Sequence, residues 1–365
     1  MKPLNLKKWT KGFTKTPRLL LGLIMIVSLM ILTQQCKKDD TTKLTNYQVV
    51  NLVADTAGFG AARIDPDLVN AWGIAIGPTG SFWISSTEKG LTTVYDRNGQ
   101  TLLAPVSIPF HGSPGAPTGV VYNNTSDFKL PGTTYVSKFI YAGEHGTIDA
   151  WYNGEATVTV SDRSGMDPVY KGIAIANDGG ANYLYVTNFK GREIEVFDKD
   201  FNYVEKNFDD ASIPAGYGPF NIQNIDGNLY VTYAKLKGPD NEDDEAGAGN
   251  GFVNIFSPSG SFIKRFASQG ALNSPWGIAK APAGFGQGIN AILIGNFGDG
   301  RINVYDSNGN FVGPLKDTNT VISIDGLWAL SFPQNGVPAG DQNQLFFTAG
   351  PDDEEHGLFG YVKIR

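Results

Sequence analysis

A short apolar phrase recurs six times along this chain, and that repetition limits the fold more than any other feature. It reads Trp72-Gly-Ile-Ala-Ile76, Thr118-Gly-Val-Val-Tyr122, Lys171-Gly-Ile-Ala-Ile175, Phe220-Asn-Ile-Gln-Asn224, Trp276-Gly-Ile-Ala-Lys280 and Trp328-Ala-Leu-Ser-Phe332, at spacings of 46, 53, 49, 56 and 52 residues. Each phrase is followed by two more alternating apolar runs, such as Ser81–Ser85 and Leu91–Tyr95, and most units close on a fourth, such as Phe262–Phe266. Short runs rich in Val, Ile, Tyr and Phe and bounded by Gly are strands. Four strands per unit of ~50 residues, repeated six times, predict an all-β, six-bladed β-propeller. The period of 3.6 that a helical solenoid requires is absent. Asn98-Gly99 and Asn308-Gly309 are expected to be hairpin turns with φ > 0 at both central residues.

The sixth unit ends at Arg365 after three strands. Tyr47-Gln-Val-Val-Asn-Leu-Val53, stranded before the first repeat, is the natural fourth. Pairing it with the last blade would close the ring and hide an edge. The expected organisation is therefore a leader over residues 1–35, a tether over 36–45 and one propeller over 46–365.

The leader has its own logic. Residues 1–18 carry six Lys or Arg and no acid, and Leu19 to Leu32 form an apolar run of fourteen residues, the length of a signal-peptide core. The only cysteine, Cys36, follows directly. This arrangement resembles a bacterial lipoprotein signal, with Cys36 the lipidated first residue of the mature chain. Gln35 departs from the small residue usual before that Cys. The expected location is the cell envelope, with the membrane reached through lipidated Cys36. Lys37-Lys38-Asp39-Asp40 is either a surface-export tag or a solvated tether. Loss of residues 1–35 takes the net charge from −7 to −13, which leaves no general basic field for nucleic acid. A single cysteine excludes a disulfide framework and a Cys-based zinc site.

Asp65-Pro-Asp-Leu-Val-Asn-Ala-Trp-Gly73, Pro219-Phe-Asn-Ile-Gln-Asn224, Leu293-Ile-Gly-Asn-Phe-Gly-Asp-Gly-Arg-Ile302, Ile324-Asp-Gly-Leu-Trp-Ala329 and His356-Gly-Leu-Phe-Gly360 resemble a family of exported bacterial propellers with NHL-like blades. Some of its members carry a C-terminal PEP-CTERM sorting tail, which is missing here. The resemblance spans nearly all of residues 48–365 and implies the fold, but no activity.

In such a ring one face is built from the loops before each innermost strand and those joining second to third strands. All three histidines fall there, His111, His145 and His356, and the triplet Glu-His-Gly occurs twice, at Glu144 and at Glu355. His145 and His356 are the candidate general bases, because imidazole titrates near neutrality. The alternative is that the triplet preserves a turn. Glu88, Lys171, His111 and Asp325 are expected on the ligand-binding face. Lys171 and Thr118 interrupt an otherwise aromatic position and are expected to face ligand or solvent. The aromatics Trp72, Phe220, Trp276 and Trp328 are either platforms for sugar rings or packing between blades, with packing the stronger reading.

Glu144, Asn188 and Asn296 are candidate oxygen ligands for Ca²⁺ or another divalent cation over the channel, as in metal-dependent lactonase propellers. Asp240, Asp243 and Asp244 lie in an acidic insertion that lacks the alternating order of an EF-hand loop, so they offer at most a looser calcium site. No Gly-x-Ser-x-Gly or His-Glu-x-x-His is present. Two functions follow. The first is a non-catalytic platform for an extracellular protein or glycan. The second is a metal-dependent hydrolase or lactonase.

Overall fold

The computed structural model describes residues 45–288 and 290–365. The leader, Cys36 and the tether up to residue 44 lie outside the described residues. Among those described, no helix is long and apolar enough to cross a membrane.

Six antiparallel sheets form a ring in chain order, each with its first strand innermost. The innermost strands are Ala71–Ile76, Pro117–Tyr122, Tyr170–Asp178, Tyr217–Ile225, Pro275–Lys280 and Leu327–Ser331. They coincide with the six recurring phrases. Blade six consists of Leu327–Ser331, Leu345–Ala349, Leu358–Ile364 and, outermost, Tyr47–Ala54. That last pairing runs from Tyr47↔Ile364 to Ala54↔Leu358 with a bulge between Asn51 and Val53. The expected closure by an N-terminal strand is therefore observed. Arg63–Ile64 adds a short parallel pairing outside it and covers the remaining edge.

The hairpin turns differ from expectation. Gly99 and Gly309 are left-handed at φ 76° and 94°, but Asn98 and Asn308 keep negative φ. The backbone N–H of Gly99 reaches the Asp96 carbonyl at 3.0 Å, and the Asp96 side chain accepts from the N–H groups of Asn98 and Gln100, both at 2.8 Å. This is a type I turn with a left-handed glycine. The carboxylate of Asp96 and its counterpart Asp306 select it by bonding the turn amides.

Apolar side chains fill the spaces between neighbouring blades, for example Ile140, Ile148, Tyr170 and Val186 between blades two and three. At the centre the innermost strands nearly touch. A Cβ on Gly73 would overlap the Thr118 carbonyl oxygen, and one on Gly277 would lie 2.6 Å from the Trp328 carbonyl oxygen. The channel waist keeps only about 10 Å³, lined by residues such as Gly73, Gly119, Ile173, Asn221 and Ile278. That is room for about one water, so the ring is not a pore, and any ligand must sit at an end. The upper end is defined here by the loops between second and third strands. Because Ala54 pairs with Leu358 near those loops and Tyr47 with Ile364, the described chain begins at the lower end, roughly 26 Å away along the strand.

Candidate functional site at the upper mouth

Lys171 stands at the second position of its innermost strand, where four other blades carry an aromatic side chain. It is only 2% exposed. Its ammonium forms an ion pair with Glu144 from the upper loop of blade two and stands 4.8 Å from the ring centroid of Trp72 in blade one. Burial disfavours the charge, but Glu144, with Asp243 and Glu354 beyond it, outweighs burial and raises the lysine above its ordinary value. Lys171 is thus a permanent internal cation and not a proton acceptor at neutral pH.

Beneath it lies a plug of aromatic rings. Trp72 and Trp328 stack at 3.7 Å, Phe297 stacks on Trp328 at 3.9 Å, and Trp276 meets the two indoles edge-on at 6.4 and 5.9 Å. Trp72, Trp276 and Trp328 are at most 3% exposed. Packing is therefore their main role, as expected, but across the channel mouth and not simply between adjacent blades. The Trp328 N–H donates to Asn70 Oδ1 at 2.9 Å. The indole N–H groups of Trp72 and Trp276 are buried without an acceptor among the described residues. An unsatisfied buried donor is costly, on the order of 1–3 kcal/mol.

Glu354 closes the far side. Asn70 donates through Nδ2 to its Oε2 at 2.6 Å. Three consecutive left-handed residues, Asp352, Asp353 and Glu354, with φ between 53° and 68°, turn it inward. That conformation is rare for residues with a side chain. The Asp352 N–H is held by Asp325 Oδ2 at 2.9 Å. Burial pushes the Glu354 carboxyl up to about 7, although Lys171 and Asn70 pull it down. Asp244 is likewise raised by burial, against the pull of Ser274 and Lys171, and its Oδ2 has no hydrogen-bond partner among the described residues.

A groove of about 280 Å³ opens beside this cluster, lined by Phe110, Glu144, His145, Asp167, Glu242 and Asp243 among others. Lys190 spans its edge, 2.6 Å from Asp167 and 2.9 Å from Glu242. His145 is exposed, with its ring 4.4 Å from Phe110. His111 also stacks on Phe110, at 4.2 Å, and pairs with Asp162 at 2.8 Å.

Several expected site residues are elsewhere or otherwise engaged. Thr118 is fully buried and donates to the carbonyl oxygens of Ala142 and Tyr170, so it faces neither ligand nor solvent. His356 belongs to the ring closure: its Nδ1 lies 2.8 Å from Asp55 Oδ2, and Gly357 N–H donates to Asp55 Oδ1 at 3.0 Å. Glu88 is exposed on a short turn, Thr87–Lys89, and Asp240 is exposed on the acidic loop. Asn188 Oδ1 accepts from the N–H groups of Val169 and Gly191, and its Nδ2 donates to Glu195 at 2.9 Å. Asn296 donates to the Ala271 carbonyl oxygen and to Asp299, leaving only its Oδ1 unpartnered. Calcium takes six to eight oxygens. Glu144 is held by Lys171, and the side chains of Asn188 and Asn296 are committed to the partners just given. Among the described residues no group of three or more His, Cys, Asp or Glu is arranged to hold a metal ion, so these donors do not fit a Ca²⁺ cage. Lys171, Glu144, Asp243 and Asp244 do come together. The two residues sequence reasoning missed are Glu354 and Asn70. No signal in the acidic run 352–355 tells which carboxylate turns inward.

No protein-family model matches the chain. It is 36% identical to an uncharacterized protein of Acanthamoeba polyphaga mimivirus over 338 residues, which is 88% of this chain and 80% of that one. A second uncharacterized mimivirus protein is 36% identical over 332 residues, 85% of this chain and 84% of the other. The chain belongs to the family these proteins form. Both relatives are viral, so they do not carry the expectation of an exported bacterial family. Among solved structures, virginiamycin B lyase from Staphylococcus aureus superposes with a TM-score of 0.51 at 13% identity, covering 88% of this chain and 99% of the lyase. Regucalcin from Agrobacterium tumefaciens, described as a calcium-binding protein, gives 0.50 at 14%, covering 82% and 92%. At those identities the likeness is one of fold.

Proposed function

We propose that this protein is a non-catalytic binding propeller, anchored in the cell envelope by lipid on Cys36, whose upper mouth takes an extracellular ligand. One observation carries the binding site. Side chains from blades one, two, four and six meet around Lys171 of blade three, and in that buried setting two indole N–H groups and one oxygen of Asp244 lack partners. A ligand would complete them. Of the candidate bases His356 is engaged by Asp55, and Lys171 is paired with Glu144, whereas His145 stays exposed beside Phe110. Eight residues lie between Cys36 and Thr45, so a lipid on Cys36 would hold the propeller on a short tether.

The binding reading is tested by a thermal-shift screen of peptides, glycans and small metabolites on residues 45–365, which contain the whole closed ring. Ligands that raise Tm in the wild type and not in Trp276→Phe or Lys171→Met support it. Ligands whose effect survives both substitutions overturn it. The anchor is tested by mass spectrometry of the mature N-terminus and by Cys36→Ala. The variant should leave the membrane fraction, and if it stays there unchanged the lipoprotein assignment falls.

A further inference from the structure

We infer that the lower end of the ring carries a separate site for a neutral sugar ring. A groove of about 490 Å³ lies there between the C-terminal ends of the innermost strands of blades four, five and six. Small-ligand sites typically run from roughly 300 to 1,000 Å³. Gln223, Ile278 and Leu330 line both this groove and the waist above it. The waist is closed, so the groove is independent of the upper mouth. Gln223 departs from the repeat, because Ala75, Ala174 and Ala279 hold the same place in blades one, three and five. Its neighbours on the strand have their amides satisfied by the protein. Asn221 donates to the Trp276 carbonyl oxygen and accepts from the Ile222 N–H, both at 2.8 Å. Asn224 donates to the Ile175 carbonyl oxygen at 2.9 Å and accepts from the Gly227 N–H at 3.0 Å. Gln223 is half-buried, and among the described residues its amide bonds nothing.

The lining sets the ligand chemistry. Gln334, Asn335 and Gln342 extend the groove, and their amides also bond no protein group among the described residues. Lys280 and Asp226 are the charged residues of the lining and pair with each other at 2.5 Å. Neither an anion nor a cation therefore meets an uncancelled charge. A carboxamide donates through its nitrogen and accepts at its oxygen, which matches a hydroxyl, itself both donor and acceptor. Four such amides suit a ligand that carries several hydroxyls. Phe332, Pro282 and Leu330 supply apolar surface among them, against which the C–H face of a pyranose packs. A purely aliphatic ligand would strip water from the amides and leave them unpaired, at a cost. An extended peptide adds to a strand edge, but the open edges of these innermost strands face the closed waist.

The experiment titrates residues 45–365 by calorimetry, with saturation-transfer NMR to read weak binding. The probes are glucose, galactose, mannose and N-acetylglucosamine, their methyl glycosides, glucosamine, glucuronate and trialanine. At least one neutral sugar should bind saturably. Gln223→Ala, a residue the fold already accepts at this place in three blades, should weaken that sugar about tenfold with Tm unchanged. Gln334→Ala should weaken it less. A sugar that binds as its methyl glycoside is a residue of a glycan, and one that needs its free anomeric hydroxyl is a monosaccharide; both support the inference. Lys171→Met and Trp276→Phe should bind the sugar as the wild type does, so a sugar lost only in Gln223→Ala belongs to this groove and is no test of the mouth. Loss in those two variants, with Gln223→Ala unaffected, would move the sugar to the upper mouth and overturn the groove. Equal affinity in wild type and Gln223→Ala would also overturn it. So would tighter binding of glucosamine, glucuronate or trialanine than of any neutral sugar, and so would no binding by any probe.

Discussion

Glu144-His145-Gly146 and Glu355-His356-Gly357 are the same three residues at equivalent loops of two blades, yet they do opposite work. In the first, the glutamate turns inward to Lys171 and the histidine lies exposed over Phe110. In the second, the histidine is the working residue, tied to Asp55, and the inward glutamate is the residue before the triplet, Glu354. The neighbours explain the difference. Blade two has a lysine next to its loop, whereas blade six has the incoming N-terminal strand, whose Asp55 claims the imidazole and the following N–H. The tripeptide is repeated but its turn is not, since Gly146 is left-handed at φ 84° and Gly357 is not, and the two surroundings gave it two functions.

The glycines should break this symmetry most strongly. A Cβ on Gly357 would overlap the Leu68 carbonyl oxygen, a backbone atom of the closure region, whereas one on Gly146 meets Pro168 Cγ at 2.5 Å and adopts φ 84°. Gly357→Ala should cost more than about 3 kcal/mol or prevent folding, and Gly146→Ala roughly 1–2 kcal/mol. Urea denaturation measures both, and equal losses would contradict the asymmetry.

Next in size is Lys171→Met, which leaves Glu144 facing three other carboxylates. A loss of about 2 kcal/mol is expected at pH 8. It should shrink at pH 5, where Glu354, raised to about 7, is protonated. A loss independent of pH would show that Lys171 acts by packing alone.

Glu354→Gln should have the opposite sign. A carboxyl whose folded value lies above its unfolded one makes stability fall as pH rises from about 4.5 to 7. The amide removes that fall while its Oε1 can still accept from Asn70. The variant should therefore be more stable than wild type above pH 7, by roughly 2 kcal/mol, and no more stable at pH 4. A variant less stable at pH 8 would refute the inward, unfavourably charged placement.

The histidines should separate last and least. The hydrogen bond that His356 donates to Asp55 raises the imidazole above the ordinary histidine value. Its stabilising pair is complete below about pH 6.5 and is lost as pH rises through the raised value. His356→Gln should lower Tm by a few degrees at pH 6 and less at pH 8.5, and His145→Gln should leave Tm unchanged at both. Matching pH profiles for the two variants would mean that His356 contributes nothing specific to closure.

The architecture was legible because it depends on local regularities. Strands announce themselves by period-two alternation, hairpins by glycine, and the orphan segment Tyr47–Val53 by the three-stranded sixth unit. Even so, the Asn-Gly turns took another form, because Asp96 and Asp306 bond the turn amides, a competition that a dipeptide rule omits. At the mouth, Glu144, Lys171, Asp243 and Asp244 were recognised as chemically unusual residues, but as metal ligands and exposed groups. Their true relation is an ion-paired cluster drawn from three blades. Asn188 and Asn296 looked like ligands and instead satisfy backbone groups, at Gly191 in Asn188's own loop and at Val169 and Ala271 in the loops before the innermost strands.

The sequence by itself determined a six-bladed ring closed by its own N-terminal strand, since repetition and alternation act over a few residues and survive without knowledge of distant contacts. Only the tertiary structure decided which of the many upper-face residues form a site. Glu144, Lys171, Asp244 and Glu354 are up to 210 positions apart in the chain, and ring closure is what brings them within electrostatic reach of one another. The inward turn of Glu354 needs three successive left-handed residues, a strain that the surrounding contacts must hold and that no local preference would predict.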